Sequence, residues 1–186
     1  MGKERKENIV LMYEKLTKEF FLRDVLEVAP DLLGKYLVIN QKTNGIAWYL
    51  ITEVEAYRGE EDEACHASKG RTKRTEIMYH EGGKIYVYLV YGMYWMLNIV
   101  TGEKDNPQAV LIRRIENFKG PGILSGELKV NNSFYGEDLI SSNRIWIENS
   151  NQKNDFFTAS RVGIDYAGDI WKNKPWRFIL MKIKEL

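Results

Sequence analysis

Residues 85–100, IYVYLVYGMYWMLNIV, constrain the fold of this chain more than any other stretch. The run alternates well enough to form two strands broken near Tyr91-Gly92. On the first strand Tyr86 and Tyr88 fall on one face while Ile85, Val87 and Leu89 take the other, the period of two that a strand imposes. Sheets favour Tyr, Val and Ile, so a well-packed core hairpin accounts for most of the run. It accounts less well for the tip. Tyr91 and Met93 place an apolar ring and a thioether at a turn, where burial is hardest to achieve.

The remaining apolar runs supply partners for that hairpin. KYLVIN and IAWYLITEVEAY read as strands across QKTNG, whose Asn44-Gly45 pair favours a tight turn. AVLIRRIENF, RIWIEN and WRFILMKI each read as one further strand, while ENSNQKND is a polar, mobile segment. Asp24 is placed to cap a short helix with Leu26, Val28, Leu32 and Leu33 on its apolar side; Pro30 kinks or restarts it and Gly34 ends it. GPGILSGELKVN holds another short helix. The expected architecture is α+β: a single compact domain over residues 1–186 with a strand-dominated core, a protruding aromatic β-hairpin and peripheral helices. Residues 1–20 form a partly ordered N-terminal extension. A chain of 186 residues suffices for one hydrophobic core and is too short to need two.

Composition narrows the partners. No apolar run approaches the roughly 18 residues of a membrane-spanning helix, and the mixed-charge start lacks the apolar centre of a signal peptide. One cysteine, Cys65, allows no internal disulfide and suits a reducing cytoplasm. A net charge of +1 does not mark a general nucleic-acid binder. Contacts to DNA must therefore come from local patches. KGRTKR provides Lys69, Arg71, Lys73 and Arg74; the tail from Trp171 onward is also basic, although taken alone it reads best as a solvated face.

EVEAYRGEEDEACH, residues 53–66, gathers six carboxylates, of which Glu53 and Glu55 stand at alternate positions at the end of a strand and face the same side. Glu60, Glu61, Asp62 and Glu63 follow in a loop, where adjacent acids are usually solvated. Two histidines and one cysteine make a poor set of metal ligands, so no metal is expected. A carboxylate beside aromatic rings has other uses: burial raises or poises its pKa, and it can activate water or stabilise positive charge. Tyr57 and His66 flank Glu55 with stacking surface. Asn98, within WMLNIV, and Arg113, within AVLIR, are polar exceptions in apolar strands; each alone is as well explained by core structure. Together with the hairpin tip and the basic loop, these residues suggest a nucleotide extruded into a pocket lined by Tyr57 and His66, with the tip as a wedge.

EVEAYRGEEDEACH, GRTKRTEIMY, GGKIYVYLVYGMYWMLNIV and AVLIRR, in that order and spacing, closely resemble the alkyladenine (3-methyladenine) DNA glycosylase family, in its bacterial branch. The resemblance covers most of residues 20–180, more weakly in LLGKYLV, NNSFYGEDLI and SRVGIDYAGDIWKNKPWRF. It implies a monomeric, cofactor-free, metal-free enzyme of the cytoplasm, nucleoid-associated while it acts. Such an enzyme flips alkylated, and in some members deaminated, purines out of double-stranded DNA and releases them by water attack. By motif position it implies Glu55 as the general base, with Arg113 and the backbone carbonyl of Val162 helping to hold the water. Tyr57, His66 and Tyr88 hold the flipped base, and Asn98 disfavours guanine. Tyr91 intercalates with Met93 in support, and Lys69, Arg71, Lys73 and Arg74 touch the DNA backbone. The chain departs from the family at Ile123, where lysine is common, and at MYHEGG, which puts His80 and Glu81 near the hairpin. The competing expectation is a non-catalytic nucleic-acid-binding module built on the same basic loop and aromatic hairpin; it gives no reason for Glu55 beside Arg113. A metal-dependent nuclease lacks ligands, and a lyase lacks a desolvated amine near the pocket, Lys84 being the only lysine close to the hairpin.

Overall fold

The structure, a computed structural model, describes residues 13–41, 45–150 and 154–181. Two helices lead the described chain. α1 (Lys18–Phe21) is a single turn that buries Phe21. α2 (Val25–Leu32) starts where Asp24 accepts the Leu26 N–H at 2.9 Å, and it runs through Pro30 without restarting. Gly34 then turns the chain at φ +77°, and its N–H reaches the Ile51 carbonyl at 2.9 Å. Only a residue free of a Cβ adopts that angle at little cost.

The sheet is organised around one long strand. β1 (Tyr36–Gln41) pairs antiparallel with the first half of β2 (Gly45–Arg58), Tyr36 facing Leu50. Asn44 of the expected hairpin turn lies outside the described residues. The second half of β2 changes neighbours. It pairs with β5 (Gln108–Ile115), reached through β3 (Ile85–Val90) and β4 (Tyr94–Thr101). Register shifts on either side of Glu53 mark the change of partner, as bulges do where a strand is re-aimed. β6 (Phe118–Lys119) folds back on β5, and α3 (Pro121–Glu127) packs against β4 and β5. β7 (Ile145–Glu148) completes the far edge beyond β1. β8 (Phe156–Ala159) lies just past the polar segment, where the sequence suggests no strand. It pairs with β9 (Arg177–Leu180), which returns to the free side of β2 after α4 (Gly168–Lys172). The main path is β3-β4-β5-β2-β1-β7. This is the α+β, strand-dominated architecture expected.

The two faces of β3 do different work, as its alternation predicts. Ile85 and Val87 join Val25, Val28 and Leu32 of α2 and Ile51, Val54, Ile99 and Ile112 in the main core. Tyr86 and Tyr88 point into a second cluster with Cys65, Ile77, Met78 and Tyr79. At the junction Gly82 lies so close to α1 that a Cβ there would meet the Phe21 carbonyl oxygen at 2.1 Å. A side chain at 82 would push the loop off the core.

Candidate active site

The β3–β4 hairpin ends at Val90 paired with Tyr94, and Tyr91 and Gly92 both have positive φ, 53° and 70°. That sign pattern belongs to tight turns matched to strand twist, and a tyrosine adopts it at some cost. The strained residue is also exposed: Tyr91 is 88% accessible and Met93 65%. Tyr94 folds its ring against Gly122 of α3, where a Cβ would lie 2.7 Å from the ring, so the hairpin stem is braced while its tip projects.

Below the tip lies a cavity of about 290 Å³. Tyr57 from β2, Tyr86 and Tyr88 from β3, His66 from a short 3₁₀ turn, Asn98 from β4 and Arg113 from β5 line it, and Val162 and Tyr166 form its far lip. The sequence-predicted pocket residues are thus brought together, joined by Tyr86, Met78 and Tyr166, which sequence reasoning omitted. Tyr86 shares the alternation of Tyr88 and was open to discovery by that signal; Tyr166, in a loop, had none. The rings are in mutual contact: His66 meets Tyr88 edge-on at 4.5 Å, and Tyr86 lies 5.4 Å from Tyr88. His66 Nδ1 and the Tyr86 hydroxyl are 2.8 Å apart. Burial, with the nearby Arg74 charge, pushes the His66 pKa down to about 4, so its ring is neutral at neutral pH. Asn98 donates from Nδ2 to the carbonyls of Tyr86 (3.1 Å) and Met96 (3.2 Å), which fixes its orientation in the wall.

Glu55 sits behind this wall, with no exposed surface. Its Oε1 accepts the Val162 N–H at 2.8 Å and pairs with Arg113 Nη1 at 3.2 Å; its Oε2 accepts the Tyr57 hydroxyl at 2.8 Å. Burial raises its pKa against the opposing pull of Arg113, the Val162 N–H and the Tyr57 hydroxyl. All three partners, Tyr57, Arg113 and Val162, line the cavity. Glu53, two residues earlier, faces the same arginine but is enclosed by cations: Arg113, Arg114 and Arg177 each lie 3.1 Å from it.

Three of the four loop acids, Glu60, Glu61 and Glu63, are exposed as the sequence suggests; Asp62 is the exception. Asp62 is completely buried and accepts Arg161 Nη1 and Nη2 at 2.5 and 2.8 Å, together with the N–H groups of Arg58 (3.0 Å) and Ala64 (3.1 Å). A charge left out of water must be paired, and here the partner is itself wholly buried. Glu60 accepts the Tyr79 hydroxyl at 2.6 Å and Glu61 meets Arg58 at 3.3 Å, and both stay exposed alongside Glu63. In KGRTKR, Lys69, Lys73 and Arg74 are exposed, whereas Arg71 is held by Glu76 (2.9 and 2.6 Å) and Asp105 (3.2 Å). Among the described residues, no three His, Cys, Asp or Glu side chains are grouped to hold a metal ion, and no helix is long and apolar enough to cross a membrane.

The model of the methylpurine-DNA glycosylase family matches residues 19–119 and 115–184 of this sequence. The chain belongs to that family. Relatives within it include a protein of Natranaerobius thermophilus, 38% identical over 190 residues, covering 89% of this chain and 95% of the relative. One from Legionella pneumophila (strain Corby) is 42% identical over 177 residues, covering 89% and 94%. One from Methanocella arvoryzae is 40% identical over 183 residues, covering 88% and 90%. All three carry the provisional name 3-methyladenine DNA glycosylase. Family membership agrees with the resemblance carried by the EAY, YGMYW and AVLIR motifs, which now prove to meet around one cavity.

Proposed function

We propose that this member of the methylpurine-DNA glycosylase family initiates base excision repair by hydrolysing the N-glycosidic bond of alkylated purines in duplex DNA. It acts as a metal-independent monomer in the cytoplasm, at the nucleoid. The observation that carries the reading is Glu55: a buried carboxylate held by Tyr57, Arg113 and Val162, which line an aromatic cavity beneath an exposed tyrosine. In this reading Tyr91 enters the duplex and fills the gap left by the extruded nucleotide, offsetting the few kcal/mol that unstacking costs. Met93 supports it. Lys69, Lys73 and Arg74 contact phosphates, and Arg71 joins them only by giving up its carboxylates. The lesion base stacks between Tyr57, His66 and Tyr88, whose faces attract cationic alkylpurines by about 1–2 kcal/mol when desolvated. Asn98, locked by its two donated hydrogen bonds, presents its amide to the base and disfavours a 2-amino group.

Chemistry follows from the carboxylate. The glycosidic bond breaks with its electron pair leaving on the base, and the sugar carbon becomes oxocarbenium-like. Water, held by Glu55 and steadied by Arg113 and the Val162 backbone, loses its proton to the carboxylate as its oxygen joins the sugar. The strand stays intact with an abasic site. Base release from duplexes that each carry one lesion, run with a chelator present, tests the proposal. Release that requires an added divalent ion, or strand scission through a trappable protein–DNA imine, would overturn it.

A further inference from the structure

Two of the tyrosines that line the cavity, Tyr57 and Tyr88, carry a guanidinium on them. Arg161 Cζ lies 4.9 Å from the Tyr57 ring centroid, and Arg74 Cζ lies 5.1 Å from that of Tyr88. The two cations are not equivalent. Arg161 is neutralised by its buried pair with Asp62. Arg74 takes no part in any ion pair among the described residues. Arg74 is also absent from the cavity lining. It borders an adjoining cleft of about 570 Å³ that it shares with Tyr88, Trp95 and Tyr135, so it covers the side of Tyr88 turned away from the base site.

A ring attracts a cation through the negative potential over its face, and a positive charge already on one face weakens that attraction at the other. We infer that Arg74 is a specificity-determining residue: through Tyr88 it penalises positively charged bases in the cavity and so shifts the enzyme toward neutral lesions. The inference rests on the glycosylase reading above. Arg74 reaches further into the site by a second route. Its charge is the one that opposes protonation of His66, whose Nδ1 lies 2.8 Å from the Tyr86 hydroxyl. Of the other charged groups, Glu55 with Arg113, Asp62 with Arg161 and Glu61 with Arg58 are paired, while exposed Glu60, Glu63 and Lys69 share with His66 and Arg74 a second cleft open to solvent. Arg74 is solvent-exposed, so screening limits the effect to a modest one.

The test compares single-turnover release of 3-methyladenine, cationic while attached to the sugar, with release of neutral hypoxanthine, at saturating enzyme. Loss of a phosphate contact lowers both rates together and cancels in their ratio. Arg74→Met is expected to raise the cationic-to-neutral ratio about three- to tenfold. Arg74→Lys keeps the charge and is expected to stay near the parent ratio. On the free protein, the His66 imidazole followed by NMR is expected to titrate at higher pH in Arg74→Met than in the parent, whatever lesions are released. An unchanged ratio overturns the inference; where hypoxanthine is not released by the parent, an unchanged His66 titration does so. A parent that releases no base at all overturns the glycosylase reading and this inference with it.

Discussion

Two carboxylates in the stretch 53–66 are buried to the same degree and reach opposite ends. Asp62 accepts four hydrogen bonds, two from Arg161 and two from backbone N–H groups, and every acceptor position is filled. Glu55 accepts two, from a backbone N–H and a phenol, and pairs with one arginine, and these three partners line a cavity. Burial alone therefore does not distinguish a reactive acid from a structural one. The partners do: those of Asp62 tie buried loops together, whereas those of Glu55 form the wall of a cavity.

Breaking the saturated pair should have the largest effect. Asp62→Ala strands Arg161 without a counter-charge, and removing one partner of a buried pair costs about 3–5 kcal/mol. Urea unfolding of the parent and the variant measures it directly. A loss below about 1 kcal/mol would mean that Arg161 finds water or another acid, and the contrast with Glu55 would lapse.

On the reactive side, Glu55→Gln is expected to leave lesion-duplex affinity nearly intact while slowing single-turnover base release about 100-fold or more. Glu53→Gln, among three arginines, should slow release far less. The opposite ranking would move the catalytic role to Glu53. The parent rate should also fall on the acid side at a pH above the ordinary carboxylate value. Burial raises the Glu55 pKa, and protonation removes the base as pH drops through that raised value. The acid limb should vanish in Glu55→Gln; a limb that survives belongs to another group.

Tyr91→Ala should weaken capture of a lesion duplex about tenfold and binding of plain duplex little, because the ring makes its contribution only after a base has left the stack. Mispaired lesions should be affected less. Equal losses on both duplexes would make Tyr91 a structural residue of the turn.

The smallest effects separate the members of KGRTKR. Lys73→Gln should lower the slope of log affinity against log salt by about one, as loss of one phosphate contact does. Arg71→Gln should leave the slope unchanged, since Glu76 and Asp105 already occupy the guanidinium. A lowered slope in Arg71→Gln would show that DNA outcompetes those acids.

What sequence reasoning reached, and what it missed, follows the range of the interaction. Alternation in residues 85–100 carries the hairpin and sets Tyr86 and Tyr88 on one face, because side-chain direction in a strand is a local property; that this face meets the base site comes from the family resemblance. The helix beginning at Asp24 is equally local. The burial of Asp62 had no local sign: three neighbouring acids look the same, and the partner that singles it out lies 99 residues away. Arg71 reads as a free cation beside Lys69 and Lys73, while one of its acids, Asp105, comes from the turn between β4 and β5. β8, directly after a polar segment, is a strand only because β9 lies beside it. The setting of Glu55 is the hardest to foresee. It depends on which partners three separate segments deliver.

That dependence bears on how the protein is made. The Val162 N–H reaches Glu55 across 107 residues, and Arg161 reaches Asp62 across 99. β9, which flanks Glu55 on β2, follows later still. On the ribosome, the strand bearing Glu55 and Tyr57 emerges while its last two supports are still untranslated, and loop closures of this length come late in folding. A nascent chain therefore presents the basic loop and the aromatic hairpin before it possesses the full set of contacts around Glu55.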